Sequence, residues 1–416
     1  IVLDNKTITD ILDYSATIFV ETNLVDSKLA NITRAPYSSK GLSEIGLMKP
    51  EIMAPGTSMI GARSVPNSEY GHADYVMMDG TSMATPNVAG ATALVAQYFK
   101  SGKYRPNLSI TPSSSLLRAV MINAADPLNR SAPYPNAESG FGQLNLGRYI
   151  MSSAKADEGD MHVLVGDNLL TIGDLHLSAE VEVTDNKEDF RVTMAYLDEV
   201  LNDDSSVALT IDLDLVVVAP DGKTVYRGNQ RVDNTEEMFS TIERVIVNKE
   251  DVQVGTYEIH IFSNIPFIVS GQKANFSIAV FGSISYAGDT IKFSRAKKCV
   301  PVVEGHGDCI SFSTRNECTF DTMEGDGYNG HSCQNEVIAM NDGYNSYRQK
   351  RVIEIEPYGT KYVNGYIPLG EGRANMTLII SSLTDFSPKY AYTILPDETN
   401  PFLHEVDADS VQMKGD

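Results

Sequence analysis

A single proline limits where the central helix of this chain can begin. In Gly80-Thr81-Ser82-Met83-Ala84-Thr85-Pro86-Asn87-Val88-Ala89-Gly90, Pro86 lacks an N–H and is tolerated only near the start of a helix. Beyond it, Val88, Ala91, Leu94, Val95 and Tyr98 recur at helical spacing, and Ala84, Ala89, Gly90, Ala93 and Ala96 would let neighbouring backbone approach closely. The pattern predicts a buried helix starting near Ser82. That start places the Ser82 hydroxyl among N–H groups without intrahelical acceptors, at the positive end of the helix dipole, where a developing oxyanion is stabilised. A serine there is commonly a helix cap, but the position also suits the nucleophile of an acyl transfer. A lipase-type elbow needs Gly-x-Ser-x-Gly, and Ala84 stands where its second glycine belongs.

Charge narrows the functional classes. With 33 Lys+Arg against 55 Asp+Glu, the 416-residue chain carries a net charge of -22, so nucleic-acid backbones and anionic membrane surfaces repel it. No apolar run approaches the ~18 residues of a transmembrane helix. The first residue is Ile1, with neither an initiator methionine nor a signal-like segment, so a fragment or processed chain is expected. The length suggests two to four domains with ample material for a core.

Motifs flank the serine stretch. Lys49-Pro50-Glu51-Ile52-Met53-Ala54-Pro55-Gly56 precedes it, Tyr37-Ser38-Ser39-Lys40-Gly41 lies further upstream, and Gly140-Phe141-Gly142-Gln143-Leu144-Asn145-Leu146 follows. In this order and spacing, the first of these and the serine stretch resemble the active-site segment of subtilisin-like serine peptidases (subtilases, peptidase S8). The other two are similar to flanking elements of that family. The resemblance implies that residues 1–155 are the C-terminal part of an α/β subtilisin-like domain, a parallel sheet with helices. It also implies that Ser82 is the catalytic residue, with its own backbone N–H in the oxyanion hole, and that no cofactor is required. A strand at Tyr75–Met78 would lead into the serine turn. Thr111-Pro112 reads as the start of a second helix, which Asp126-Pro127 would end.

Such a peptidase also needs an aspartate, a histidine and an oxyanion asparagine, in subtilisin supplied before the serine. Between Ile1 and Gly80 there is no Asp-Ser-Gly or Asp-Thr-Gly, no His-Gly-Thr and no Ala-Gly-Asn. His72 reads as a loop residue, His306 lies downstream in a cysteine cluster, and Asn229 of Arg227-Gly228-Asn229 lies in a different region. The resemblance therefore implies a serine endopeptidase acting on protein or peptide substrates. Its upstream residues would come from a missing N-terminal part of the catalytic domain, and this chain alone would be inactive. The alternative is a catalytically deficient chain whose β-rich half binds a protein or glycan.

From residue 156 to 283 helical periodicity gives way to alternation: Val181/Val183, Val192/Met194, Ile211/Leu213/Leu215 and Ile259/Ile261, with a tight turn at Pro220-Asp221-Gly222. These predict an antiparallel β-sandwich, and Asp212–Leu215 with Ala219–Gly222 and Asp233-Asn234 resembles the jelly-roll module that follows some subtilase domains. Asp212 and Asp214 project opposite Leu213 and, with Asp233, are calcium candidates, although no full calcium loop is present. Residues 284–416 read as a β-rich region with an acidic tail. Cys299, Cys309, Cys318 and Cys333 fall within it, and Asn5, Asn31, Asn107, Asn129, Asn275 and Asn375 each begin an N-x-Ser/Thr sequon. Clustered cysteines and sequons favour an extracellular or endomembrane location with two disulfides, for which three pairings are open. Cysteine spacing without Cys-x2-Cys argues against zinc.

Overall fold

The computed structural model describes residues 33–43, 47–62, 75–105, 108–128, 135–147, 161–172, 176–198, 211–229, 240–264, 273–297, 300, 308–311, 316–319, 327–329, 335–339 and 362–364. Residues 34–416 form one compact unit, and residues 1–33 form another that lies almost wholly outside the described residues.

Two short strands, β1 (Met59–Ala62) and β2 (Tyr75–Met78), pair antiparallel with Met59 opposite Met78. They lead into α1 (Thr81–Lys100). Pro86 lies inside the first turns of that helix, as its missing N–H requires. α1 differs from the expected buried helix. Only Ala91, Val95 and Phe99 are buried, Leu94 is 53% exposed, and a Cβ added at Gly90 would meet nothing within 4 Å. Ala89, Gly90 and Ala93 are exposed rather than packed under neighbouring backbone. One apolar stripe packs inward and the other is open.

α2 (Ser114–Ala124) is capped by Ser113, whose hydroxyl accepts from Leu116 N at 3.0 Å, rather than by Thr111. The shift has a tertiary cause: Asp167 receives both the N–H and the hydroxyl of Ser113 and holds it at the helix entrance. α2 is buried on almost every side, with Leu116, Ala119, Val120, Met121, Ile122 and Ala124 in one apolar cluster with Phe99 of α1 and with Phe141.

The sheet on which α2 rests has nine strands, all paired antiparallel: β3 (Met161–Ile172), β4 (His176–Val183), β5 (Phe190–Tyr196), β6 (Asp212–Val218), β7 (Val225–Arg227), β8 (Ile242–Val247), β9 (Gly255–Asn264), β10 (Lys273–Ser285) and β11 (Ser294–Arg295). The hydrogen-bonded path runs β7-β6-β9-β4-β10-β5-β8, with β3 on β10 and β11 on β4. β10 makes the fold possible. Its residues Phe276–Phe281 pair with β5, and Ile284 and Ser285 pair with β4, after a register irregularity between Phe281 and Ile284. The sheet therefore bends over on itself, and its two inner faces share one core.

Period-two alternation explains that core. Leu177, Ala179, Val181 and Val183 of β4, Leu213, Leu215 and Val217 of β6, and Tyr257, Ile259 and Ile261 of β9 meet Phe190, Val192 and Met194 of β5 and Phe276, Ile278 and Val280 of β10. β5 is buried along its whole length. Its alternate residues Arg191, Thr193 and Ala195 face outward, and α2 is among the elements packed on β5 and β10. The turn at Pro220–Gly222 has the expected place between β6 and β7, with Gly222 at φ 66°.

Two arginines on that outer face, Arg191 and Arg244, are 0% and 2% exposed. Arg244 Nη1 donates to the carbonyls of Ile122 (2.8 Å) and Ala125 (3.0 Å), and its Nη2 donates to Phe141 O at 2.7 Å. Arg191 donates to Asn123 O and Ala125 O, and pairs with Asp126 and Asp189 at 2.9 Å each. Both guanidinium groups thus sit at the negative end of α2, where its last carbonyls need donors.

The sheet runs on past residue 283, since β10 ends at Ser285 and β11 pairs with β4. Further along, β12 (Asp308–Ser311) pairs antiparallel with β13 (Asn316–Thr319), while β15 (Asn335–Ala339) joins β14 (Gly327–Asn329) antiparallel and β16 (Tyr362–Asn364) parallel. The parallel sheet expected for residues 1–155 is not seen among the described residues, which carry there only an isolated parallel bridge between Met53 and Gln143.

Ile259, fully buried at the centre of β9, gives the core a direct check. Ile259→Ala is expected to destabilise the chain by about 2–5 kcal/mol, read as a lower denaturant midpoint.

Candidate active site

Ser82 is the second residue of α1 and is exposed. No acidic side chain lies in the first turn, and Gly80 at the cap position makes no side-chain hydrogen bond. The amides that open the helix therefore meet neither a capping hydroxyl nor a carboxylate of the first turn. Gly80 has φ 156°, a conformation that side chains disfavour, which explains a glycine immediately before Thr81.

The extended segment 49–56 holds this turn. Gly80 N–H donates to Gly56 O at 2.8 Å, and Asn87 Nδ2 donates to Pro55 O at 2.9 Å. A Cβ at Gly56 would lie 2.7 Å from Gly80 O, so only glycine permits the approach. Tyr37 reaches the same point, with its hydroxyl 3.1 Å from Gly56 O and 2.6 Å from Thr57 Oγ1. The upstream end of the segment is tied to residues 140–144: Phe141 N donates to Glu51 O (2.9 Å), Met53 N to Gly142 O (2.8 Å) and Leu144 N to Met53 O (2.8 Å). Three stretches that are separate in sequence, 37–41, 80–90 and 140–146, are thus tied to one another through the segment 49–56.

Glu51 anchors the segment through its side chain, pairing with Arg118 and Lys49 at 2.7 Å each. Burial pushes its carboxyl pKa up, but the charges and hydrogen bonds of Arg118 and Lys49 outweigh that and hold it below its ordinary 4.5. Arg118 also donates to Tyr196 O and Thr241 Oγ1, at 3.0 Å each.

The other candidates lie elsewhere. Asp214 is buried at 8% exposure on β6, on the face opposite Leu213 and Leu215, rather than facing solvent. Asp212 occupies the β6 position opposite Asn264. Asp233, His72 and His306 lie outside the described residues, as do Cys299 and Cys333. Among the described residues no group of three or more His, Cys, Asp or Glu side chains is placed to hold a metal ion. His176 and His260 belong to β4 and β9 and bond to each other at 2.9 Å. Among the described residues no helix is long and apolar enough to cross a membrane.

Sequence reasoning missed Arg118, Arg191 and Arg244, because an arginine at an outward strand or helix position reads as solvated surface. The signal that was available for Arg191 is its place between Phe190 and Val192, with Asp189 two positions away.

Residues 21–143 match the family model described as the subtilase family, Peptidase S8. This stretch resembles the subtilase family. The serine protease/ABC transporter B family protein tagA of Dictyostelium discoideum is 26% identical over 251 residues, covering 54% of this chain and 14% of that protein. Subtilisin-like protease SBT2.2 of Arabidopsis thaliana is 33% identical over 119 residues, 25% of this chain and 14% of that protein. Minor extracellular protease Vpr of Bacillus subtilis strain 168 is 32% identical over 139 residues, 32% and 15% respectively. The chain thus spans a small part of the length of these relatives. The matched stretch is thus similar to the corresponding part of subtilisin-like proteases.

Glu51 makes the subtilase segment sensitive to acid in a defined direction. Because its folded pKa is depressed, its stabilisation is complete above 4.5 and is lost as pH falls through the lower folded value. The difference in denaturant midpoint between the wild type and Glu51→Gln is expected to shrink as pH drops below 4.5, and to be constant from pH 6 to 8.

Proposed function

We propose that this chain is the part of a subtilisin-like serine endopeptidase that carries the nucleophile Ser82. The observation that carries the reading is the exposed serine in the first turn of α1, held by the Gly56–Gly80 contact inside a segment that matches the subtilase model. In this reading a histidine base removes the hydroxyl proton, Ser82 Oγ attacks the scissile carbonyl, and the acyl-enzyme that forms is then hydrolysed by water. The Ser82 N–H, freed by its place at the helix start, donates to the oxyanion.

The aspartate, histidine and oxyanion asparagine would come from sequence upstream of Ile1. Two features support that arrangement. The relatives are several times longer than the part matched here, and α1 keeps an uncovered apolar side at Leu94 while Ile60, Tyr75 and Met77 of the neighbouring strands are 57–61% exposed. A helix apolar on most sides is normally covered on most sides. The substrates would be proteins or peptides, and calcium at Asp212, Asp214 and Asp233 would serve structure only.

In the complete protein, a serine-reactive phosphonate is expected to label Ser82, and Ser82→Ala to lose peptidase activity by on the order of a millionfold. Near-normal activity of Ser82→Ala would overturn the reading. An unlabelled wild type would leave a chain that acts by binding.

We also propose a secretory location, which the cysteines, the sequons and the extracellular protease among the relatives support. Asn275 is exposed on β10, open to a glycan. Cys309 stands directly opposite Cys318 in the β12–β13 register. Opposed residues of an antiparallel pair lie about 4.5–5.5 Å apart at Cα, within the span that a disulfide accepts. Peptide mapping without reduction is expected to recover Cys309 linked to Cys318 and Cys299 to Cys333. Four free thiols would place the protein in a reducing compartment.

A further inference from the structure

β8 is a strand of the sandwich, yet Arg244 upon it reaches the backbone that carries the serine turn. Its fork spans two stretches of the subtilase segment at once: the end of α2, through Ile122 O and Ala125 O, and Phe141, through a 2.7 Å bond to the carbonyl. Phe141 N–H bonds in turn to Glu51 O at 2.9 Å, and Met53 N–H to Gly142 O at 2.8 Å. From Met53 the extended chain continues to Pro55 and Gly56, whose carbonyls receive Asn87 Nδ2 and Gly80 N–H. Every step from the guanidinium to Gly80 is either a hydrogen bond of 2.7–2.9 Å or extended backbone. A second tie runs in parallel: Arg118 joins Tyr196 O and Thr241 Oγ1 of the sandwich to the Glu51 carboxylate.

Burying a guanidinium carries a desolvation penalty, and an apolar side chain of similar volume often packs as well or better. Packing alone therefore does not explain a cation 2% exposed at this position. A planar fork with donors in fixed directions can hold a helix end and the neighbouring turn at Phe141 in one relation, which a lysine cannot reproduce. We infer that Arg244 and Arg118 are positioning residues for Ser82: the sandwich sets the register of residues 49–56, and that register places the Gly80–Ser82 turn. This inference rests on Ser82 being the nucleophile.

The test uses the complete protein with Arg244→Lys, Arg118→Gln and, as a control that weakens the sandwich core without touching either tie, Ile259→Val. For each, kcat, KM and the rate of phosphonate labelling at Ser82 are measured well below the unfolding transition. Both arginine variants are expected to lose kcat and labelling rate in parallel, by about tenfold to 10²-fold, with KM changed by less than about twofold. Ile259→Val should lose thermal stability yet keep both rates. Arginine variants that lose stability but keep wild-type kcat and labelling, as the control does, would overturn the inference. If Arg244→Lys fails to fold, Arg118→Gln decides alone, since that side chain is 25% exposed and its loss is more easily tolerated. If the wild type is not labelled at all, the nucleophile reading has failed separately. Amide exchange at residues 79–90 then reads the coupling itself: faster exchange in the arginine variants supports it, and unchanged exchange overturns it.

Discussion

A helix that ends inside a protein leaves its last carbonyls without partners, and the rest of this structure depends on how α2 resolves that. Its C-terminal end points at two strands that each offer an arginine, Arg191 on β5 and Arg244 on β8. The guanidinium groups supply donors and positive charge where the helix needs both. Their own burial is made tolerable by the carbonyls and by Asp126 and Asp189. Neither side would be satisfied alone: the sandwich would bury bare cations, and the helix would bury bare carbonyls.

That mutual need explains why the nine-stranded sheet is not a loosely attached module. Its outer face is apolar around the arginines, with Val163, Val165, Ala195, Ile242, Ala279 and Phe281 in the same cluster as α2 and Phe99 of α1. Asn123 extends the polar contact by donating to Thr193 Oγ1 and Ala279 O. The Ser113, Ser115, Ser277 and Asp167 bonds close the opposite end of α2 against β3 and β10. A sheet with one face on its own core and the other under a helix must be buried on both faces, as β5 is.

The serine turn lies at the far edge of this frame. α1 leans on α2 through Val95 and Phe99 and leaves its other side open, so the position of Ser82 is set more by the 49–56 segment than by the packing of its own helix. Backbone hydrogen bonds and a close glycine contact tolerate little displacement, whereas an apolar face can slide.

The sequence by itself determined the local elements. Pro86 and the apolar spacing after it placed the start of α1, period-two alternation placed β4, β5, β6 and β9, and Gly222 placed the turn between β6 and β7. Gly80 before the helix start and Gly56 at the close backbone contact also leave a residue-level trace, because both positions require glycine. Only the tertiary structure decided the rest. The cap of α2 moved to Ser113 because Asp167, more than fifty residues away, holds that serine in place. The inward or outward status of Arg191 and Arg244 depended on a helix end that no window around either residue contains. Local propensity is written in neighbours along the chain, while the partner of a buried charge is chosen by the fold.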